Sequence, residues 1–102
     1  MKEIWQNIVE ADVATLELKG KTYGDSWKRR GGVGAFMMLA RKWDRIENQC
    51  SALKYDIFND PNFFDKDGLA DDIRDLRCYL LLVEAELLSR RGEPTSAYVN
   101  QD

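Results

Sequence analysis

Two pairs of carboxylates, and a run of cations that leads into three closely spaced glycines, are the residues of this chain whose types and spacing could do chemistry. Asp44 and Glu47 stand three residues apart, as do Asp72 and Asp75, with Asp71 beside the second pair. On a helix that spacing puts both members of a pair on one face. If the two helices that carry them run antiparallel and in contact, up to four carboxylates surround one space, and such a group repels itself unless a cation lies within it. Magnesium takes oxygen ligands and keeps waters that a phosphate can replace, so Asp44, Glu47, Asp72 and Asp75 are candidate magnesium ligands. A water oriented by Glu47, Asp72 or Asp75 could then attack a phosphorus, which makes these three the catalytic candidates if the chain is an enzyme. The same acids have a plainer use. Asp71 and Asp72 favour the positive end of a helix, and Asp44 and Glu47 can pair with Arg41, Lys42 or Arg45 on a solvated face.

The cations are concentrated upstream of these acids. Lys19, Lys21, Lys28, Arg29 and Arg30 come from one short segment, and Gly31, Gly32 and Gly34 follow, where the backbone can approach a ligand with no side chain in the way. If a helix starts near Gly32, its free N–H groups and the positive end of its dipole point at the same place, which suits a phosphorylated small molecule. The alternative is a solvated joint between two helices, since glycine with lysine and arginine is a common loop composition. Tyr23 and Trp27 lie in the same turn and either stack on a ligand ring or plug the end of a helical bundle. The candidate ligand contacts are therefore Lys21, Tyr23, Ser26, Trp27, Lys28, Arg29 and Arg30, joined by Lys42 and Arg45 further along.

Charge is divided along the chain although the net charge is only -3. The span 19–45 holds eight basic residues against Asp25 and Asp44, and the span 56–75 holds seven acidic residues against Lys66 and Arg74. The division fits either a surface pairing between segments or two halves of a nucleotide site. A net acidic chain argues against general nucleic-acid binding, which calls for a strongly basic domain. No apolar run approaches the ~18 residues of a membrane span, and Met1 opens a mixed polar helix, so neither a signal peptide nor a transmembrane segment is expected and a cytoplasmic location is the default. Cys50 and Cys78 have no paired metal-ligand spacing and there is no histidine, so both read as buried free thiols.

The elements that must position these residues are helices. Trp5, Ile8, Val9, Val13 and Leu16 repeat at steps of three and four and predict a helix over 2–18. Phe36, Met37, Leu39, Ala40, Trp43, Ile46, Cys50 and Leu53 predict a second over 32–53. Leu69, Ile73, Leu76, Leu80, Val83 and Leu87 predict a third over 67–91, with Asp67 as its N-cap and Gly92 closing it. Between the second and third, Pro61 and the rings of Tyr55, Phe58, Phe63 and Phe64 predict an irregular connection pinned to the core, with room for a short helical turn. No segment alternates like a strand, so the fold class is all-α: a small bundle of three main helices joined by a long glycine-rich basic loop and an aromatic connection. One domain over 1–92 and a loose tail over 93–102 complete it. The third helix is apolar on more than one stripe, through Tyr79, Leu81, Leu82, Ala85 and Leu88, which implies a partner helix and a symmetric homodimer or higher oligomer that packs the second and third helices, unless a fuller core within the chain covers it.

YGDSW at Tyr23–Trp27, KWDRIE at Lys42–Glu47 and DDIRDLRCYLLL at Asp71–Leu82 together resemble the pattern of the nucleotide-modification-associated domain family, small helical proteins of phages and bacteria. That resemblance spans about residues 19–88 and implies a nucleotide context more than a reaction. A looser similarity is to the all-α nucleoside triphosphate pyrophosphatases of the MazG-like group, whose acidic pairs hold magnesium over a triphosphate. Asp44 with Glu47 and Asp72 with Asp75 match those pairs in form and order, although aspartate stands for glutamate at two of the four places and reaches about one methylene less far. Both resemblances and the basic turn point to a phosphorylated nucleotide as ligand, and small size, a phage-type family, the basic aromatic turn and no complete catalytic set point to a binder that could sequester a signal of host defence uncleaved. The second resemblance implies a magnesium-dependent pyrophosphohydrolase. A helical protein-interaction module with no small ligand is the third reading of the same residues.

Overall fold

The computed structural model describes residues 1–93, apart from the side chains of residues 20–23. The three periodic stretches fold as three helices of 22 residues each: α1 over Lys2–Tyr23, α2 over Gly31–Ala52 and α3 over Leu69–Arg90. Short 3-10 turns occupy Ser26–Lys28 and Ile57–Asn59, and among the described residues there is no strand. The fold is a small all-α bundle, as the periodicity predicts. No described helix is long and apolar enough to cross a membrane. The tail expected over 93–102 lies outside the described residues from 94 onward.

α3 is the middle element and packs against both of the others. Its pairing with α2 is antiparallel, as three ion pairs establish. Lys28, just before α2, meets Glu86 at 2.7 Å, Lys42 meets Asp75 at 2.9 Å and Arg45 meets Asp72 at 3.2 Å, so the α3 number falls as the α2 number rises. The buried apolar residues are Ala35, Met38 and Ile46 of α2 and Leu69 and Cys78 of α3. Both cysteines are free; Cys78 is buried and Cys50 half-buried, and burial first of all pushes the Cys78 thiol up.

α1 is held differently. Its buried residue is not apolar but Asp12, 2% exposed, whose two carboxylate oxygens accept from Arg77 Nε at 2.7 Å and Nη2 at 3.0 Å. Thr15 and Leu16 are half-buried on the same side, whereas residues 1–11 are all exposed. The apolar stripe that predicts this helix therefore runs mostly over open surface, because no other described element covers residues 1–11.

Three boundaries depart from the sequence reading. α1 continues five residues past the expected end, through Gly20, so Lys19 and Lys21 are helical rather than part of a loop; an interior glycine costs only about 1 kcal/mol, which neighbouring turns can absorb. α2 begins at Gly31, whose φ of 73° is open to glycine alone without strain, so Gly32 and Gly34 lie inside the helix and the connecting segment is shorter than a long glycine-rich loop. α3 is capped by Gly68 rather than Asp67. A Cβ at Gly68 would lie 2.7 Å from the Asp65 carbonyl oxygen and 2.8 Å from that of Asn62, so the chain turns too tightly there for a side chain. Asp67 instead donates its N–H to the Asp71 carboxylate at 2.9 Å.

The aromatic connection is less firmly seated than its composition suggests. Phe63 is half-buried and meets Phe64 edge-on, with ring centroids 4.7 Å apart, whereas Tyr55, Phe58 and Phe64 face outward. The expected short helical turn is present at Ile57–Asn59.

The Asp12–Arg77 pair predicts an asymmetry. Arg77→Met leaves a buried carboxylate with no cation and should cost about 3–5 kcal/mol in chemical unfolding. Asp12→Asn leaves Arg77 near solvent, with a side chain 37% exposed, and should cost clearly less. Equal losses from the two variants would mean that the pair does not anchor α1 in this way.

Candidate ligand-binding groove

The turn from α1 to α2 places Ser26 and Trp27 beside the first three turns of α2, and Tyr79 of α3 closes the far side. Together they border an open groove of about 560 Å³, within the size range of small-molecule sites. Its cations are Arg30, Arg41 and Lys42, and its floor includes Gly34, Met37 and Met38. Lys42 is shared: its ammonium lies 2.9 Å from Asp75 and 5.1 Å from the centre of the Tyr79 ring. Arg30 and Arg41 have no carboxylate partner among the described residues, and no acid lines the groove.

Local backbone geometry fixes Arg30 at the rim. It is the N-cap of α2, with φ -98° and ψ 26°, and no side chain caps the first N–H groups of the helix. A Cβ at Gly34 would fall 2.8 Å from the Cβ of Arg30, so glycine at this position lets the arginine side chain pass along the helix. The groove thus combines two unpaired guanidinium groups, a shared ammonium, two aromatic rings, a hydroxyl and a flexible thioether floor. Guanidinium forks match phosphate oxygens in pairs, aromatic faces suit a planar ring, and methionine adapts to its shape.

Of the nine expected ligand contacts, Ser26, Trp27, Arg30 and Lys42 come together here. Lys28 turns to the other side of Trp27, where it donates to Glu86 at 2.7 Å; Arg90 donates to the same carboxylate at 2.7 Å. Those three charges rim a second, apolar pocket of about 360 Å³ between Phe36, Leu39, Val83 and Leu87. Arg29 is exposed and lines neither space, and Arg45 is directed to Asp72. The side chains of Lys21 and Tyr23 lie outside the described residues. Arg41, Tyr79 and the two methionines are the groove residues that sequence reasoning did not single out as ligand contacts. The signal for Arg41 was its place beside Lys42; the only sign of Tyr79 was its position off the main stripe of α3.

The four candidate metal ligands are placed apart in function. Asp72 is buried, one oxygen accepting from Arg45 at 3.2 Å and the other from the Gln49 amide, and Asp75 is engaged by Lys42. Asp44 and Glu47 are exposed. Among the described residues no three acids, cysteines or histidines group closely enough to hold a metal ion. Antiparallel packing does bring the two helices into register, but each α3 acid meets an α2 side chain that donates to it rather than another acid. As arranged, these residues do not fit a magnesium site.

No family model matches the chain, and no curated protein or solved structure is significantly similar to it.

Hydrogen bonds from Lys28 first and Arg90 second hold the Glu86 carboxyl below its ordinary value of 4.5, and the bond to Glu86 raises Lys28 above 10.5. The depressed carboxyl stabilises the fold above pH 4.5, and that contribution is lost as pH falls through its folded-state value. The raised ammonium contributes below pH 10.5, and that share is lost as pH rises through its own folded-state value. Glu86→Gln should therefore flatten both limbs of a pH–stability profile read by thermal unfolding; an unchanged acid limb would separate Glu86 from acid unfolding.

Proposed function

We propose that this protein binds a phosphorylated nucleotide in the groove beside Trp27 and holds it without cleaving it. The observation that carries the reading is the pairing of Arg30 and Arg41, both without a carboxylate partner among the described residues, with two aromatic rings in a groove that no acid lines. Phosphate oxygens complete the guanidinium groups, and Trp27 or Tyr79 stacks on the base. Among the described residues no carboxylate lines the groove, Asp75 beside it is held by Lys42, and the chain has no histidine, so no group is set to orient a water for attack on phosphorus and the bound nucleotide stays intact. A chain that does this acts as a sink for its ligand. The motif resemblance to small phage and bacterial proteins supports interception of a nucleotide signal of host defence as the setting, with the chain working as a homo-oligomer.

Calorimetric titration with linear and cyclic nucleotides, with and without magnesium, tests the proposal, with chromatography of each mixture to follow the ligand. Binding should be independent of magnesium and the nucleotide recovered whole. Arg30→Ala and Arg41→Ala should each weaken it by about 1.5–3 kcal/mol, the range for hydrogen bonds to charged groups, and Arg29→Ala, outside the groove, should leave it unchanged. Loss of heat on replacing Arg29 but not Arg30 or Arg41 would refute the site. Release of pyrophosphate that requires magnesium would replace it with the pyrophosphohydrolase reading, and no binding of any nucleotide would favour a protein-interaction module.

A further inference from the structure

The amino-terminal half of α1 is a helix whose apolar stripe no other described element covers. Ile4, Trp5, Ile8, Val9 and Val13 are 37–61% exposed. Leu80 and Leu81, 47% and 39% exposed, lie one turn beyond Arg77 on α3. Arg77 grips Asp12, so the exposed apolar residues of α1 one turn before Asp12 and these two leucines lie on either helix beside the same neutralised ion pair.

The size of the uncovered surface is informative. The accessible area is 8354 Å², whereas a compact monomer of 11.8 kDa exposes about 5,900 Å². Even full exposure of every residue after Glu93 would account for only about 1,400 Å² of the difference. Roughly 1,000 Å² remains over the whole chain, a surplus to which the α1 stripe contributes alongside Phe36, Trp43, Phe58 and Phe64, and one comparable with the ~800 Å² that each partner of a standard stable interface buries.

We propose that this α1–α3 surface is where a second copy of the chain packs, in a two-fold dimer that sets α1 and α3 of one copy against α3 and α1 of the other. A self-complementary contact requires a patch that does not repel its own image, and the neutral Asp12–Arg77 centre meets that requirement. The border carries both signs: Lys2, Glu3 and Glu10 on α1 and Arg74 and Glu84 on α3 have no ion-pair partner among the described residues, so facing α1 with α3 lets acid of one copy meet base of the other. The inference rests on the homo-oligomeric part of the proposed function and is independent of the ligand.

Sedimentation equilibrium of the whole chain tests it. The expected mass is twice the 11.8 kDa of one chain, and Trp5→Ala and Val9→Ala should each weaken the dimer at least about tenfold. Alanine is the strongest helix former and both positions are more than half exposed, so neither change unfolds α1, which far-ultraviolet circular dichroism verifies. Phe36→Ala, on the exposed side of α2, serves as the control and should leave the dissociation constant unchanged. A wild-type monomer at all soluble concentrations would overturn both the dimer and the oligomeric reading. An assembly that withstands the α1 variants but yields to Phe36→Ala would keep the oligomer and overturn this surface. Nucleotide titration of the same variants separates either failure from that of the ligand site.

Discussion

The third helix holds the other two through polar contacts at four levels, and the rest of the structure depends on them. Asp72 takes Arg45 and Gln49, Asp75 takes Lys42, Arg77 takes Asp12, and Glu86 takes Lys28. Few side chains are fully enclosed: Leu69 and Cys78 are the largest of them among the described residues. A core so slight leaves register to be chosen by charge. Surface pairs contribute only about 0–1 kcal/mol each, but wrong pairings would set like charges together, so the pairs decide which face of α2 meets α3 even where they add little stability. Asp12 is the exception, because its burial makes the partner obligatory.

That use of charge also shapes the candidate site. Acids of α3 that could have gathered around a metal are each drawn into a contact with α2, and one of them, Asp75, meets the groove's own Lys42. Arg30 and Arg41 have no ion-pair partner among the described residues, and no described acid lines the groove beside them. That distribution of charge follows from how the two helices are fastened. The same fastening orients Trp27, whose ring separates the groove from the apolar pocket rimmed by Lys28, Glu86 and Arg90.

Much of the fold was legible in the sequence, and the reason differs from element to element. The spacing of Leu69, Ile73, Leu76 and Val83 marks α3 because a helix that packs on two neighbours must repeat its apolar residues at that period. The run of glycines before Val33 places the start of α2 near residue 32, one position from the observed Gly31, whose φ of 73° strains any residue with a side chain. The end of α1 was not legible: Gly20 reads as a break, yet one unfavourable residue is outweighed by the turns on either side. Trp5, Val9 and Phe36 read as core for the same reason that Leu69 does, although they are exposed in the single chain. Periodicity reports that a face is to be covered, not by what.

The sequence by itself determined that the protein is three helices, which segments they occupy, and that cations cluster before the second helix while acids cluster at the start of the third. Local rules of period, capping and backbone freedom act within a few residues and need no knowledge of the rest. Only the tertiary structure decided that Asp72 and Asp75 meet Arg45 and Lys42 rather than each other's company around a metal. It also decided that Arg41 and Tyr79 share a groove with Trp27 while Lys28 leaves it. Those outcomes depend on the rotation of α2 against α3, and rotation is set by contacts between residues 23 to 58 positions apart, which no local pattern encodes.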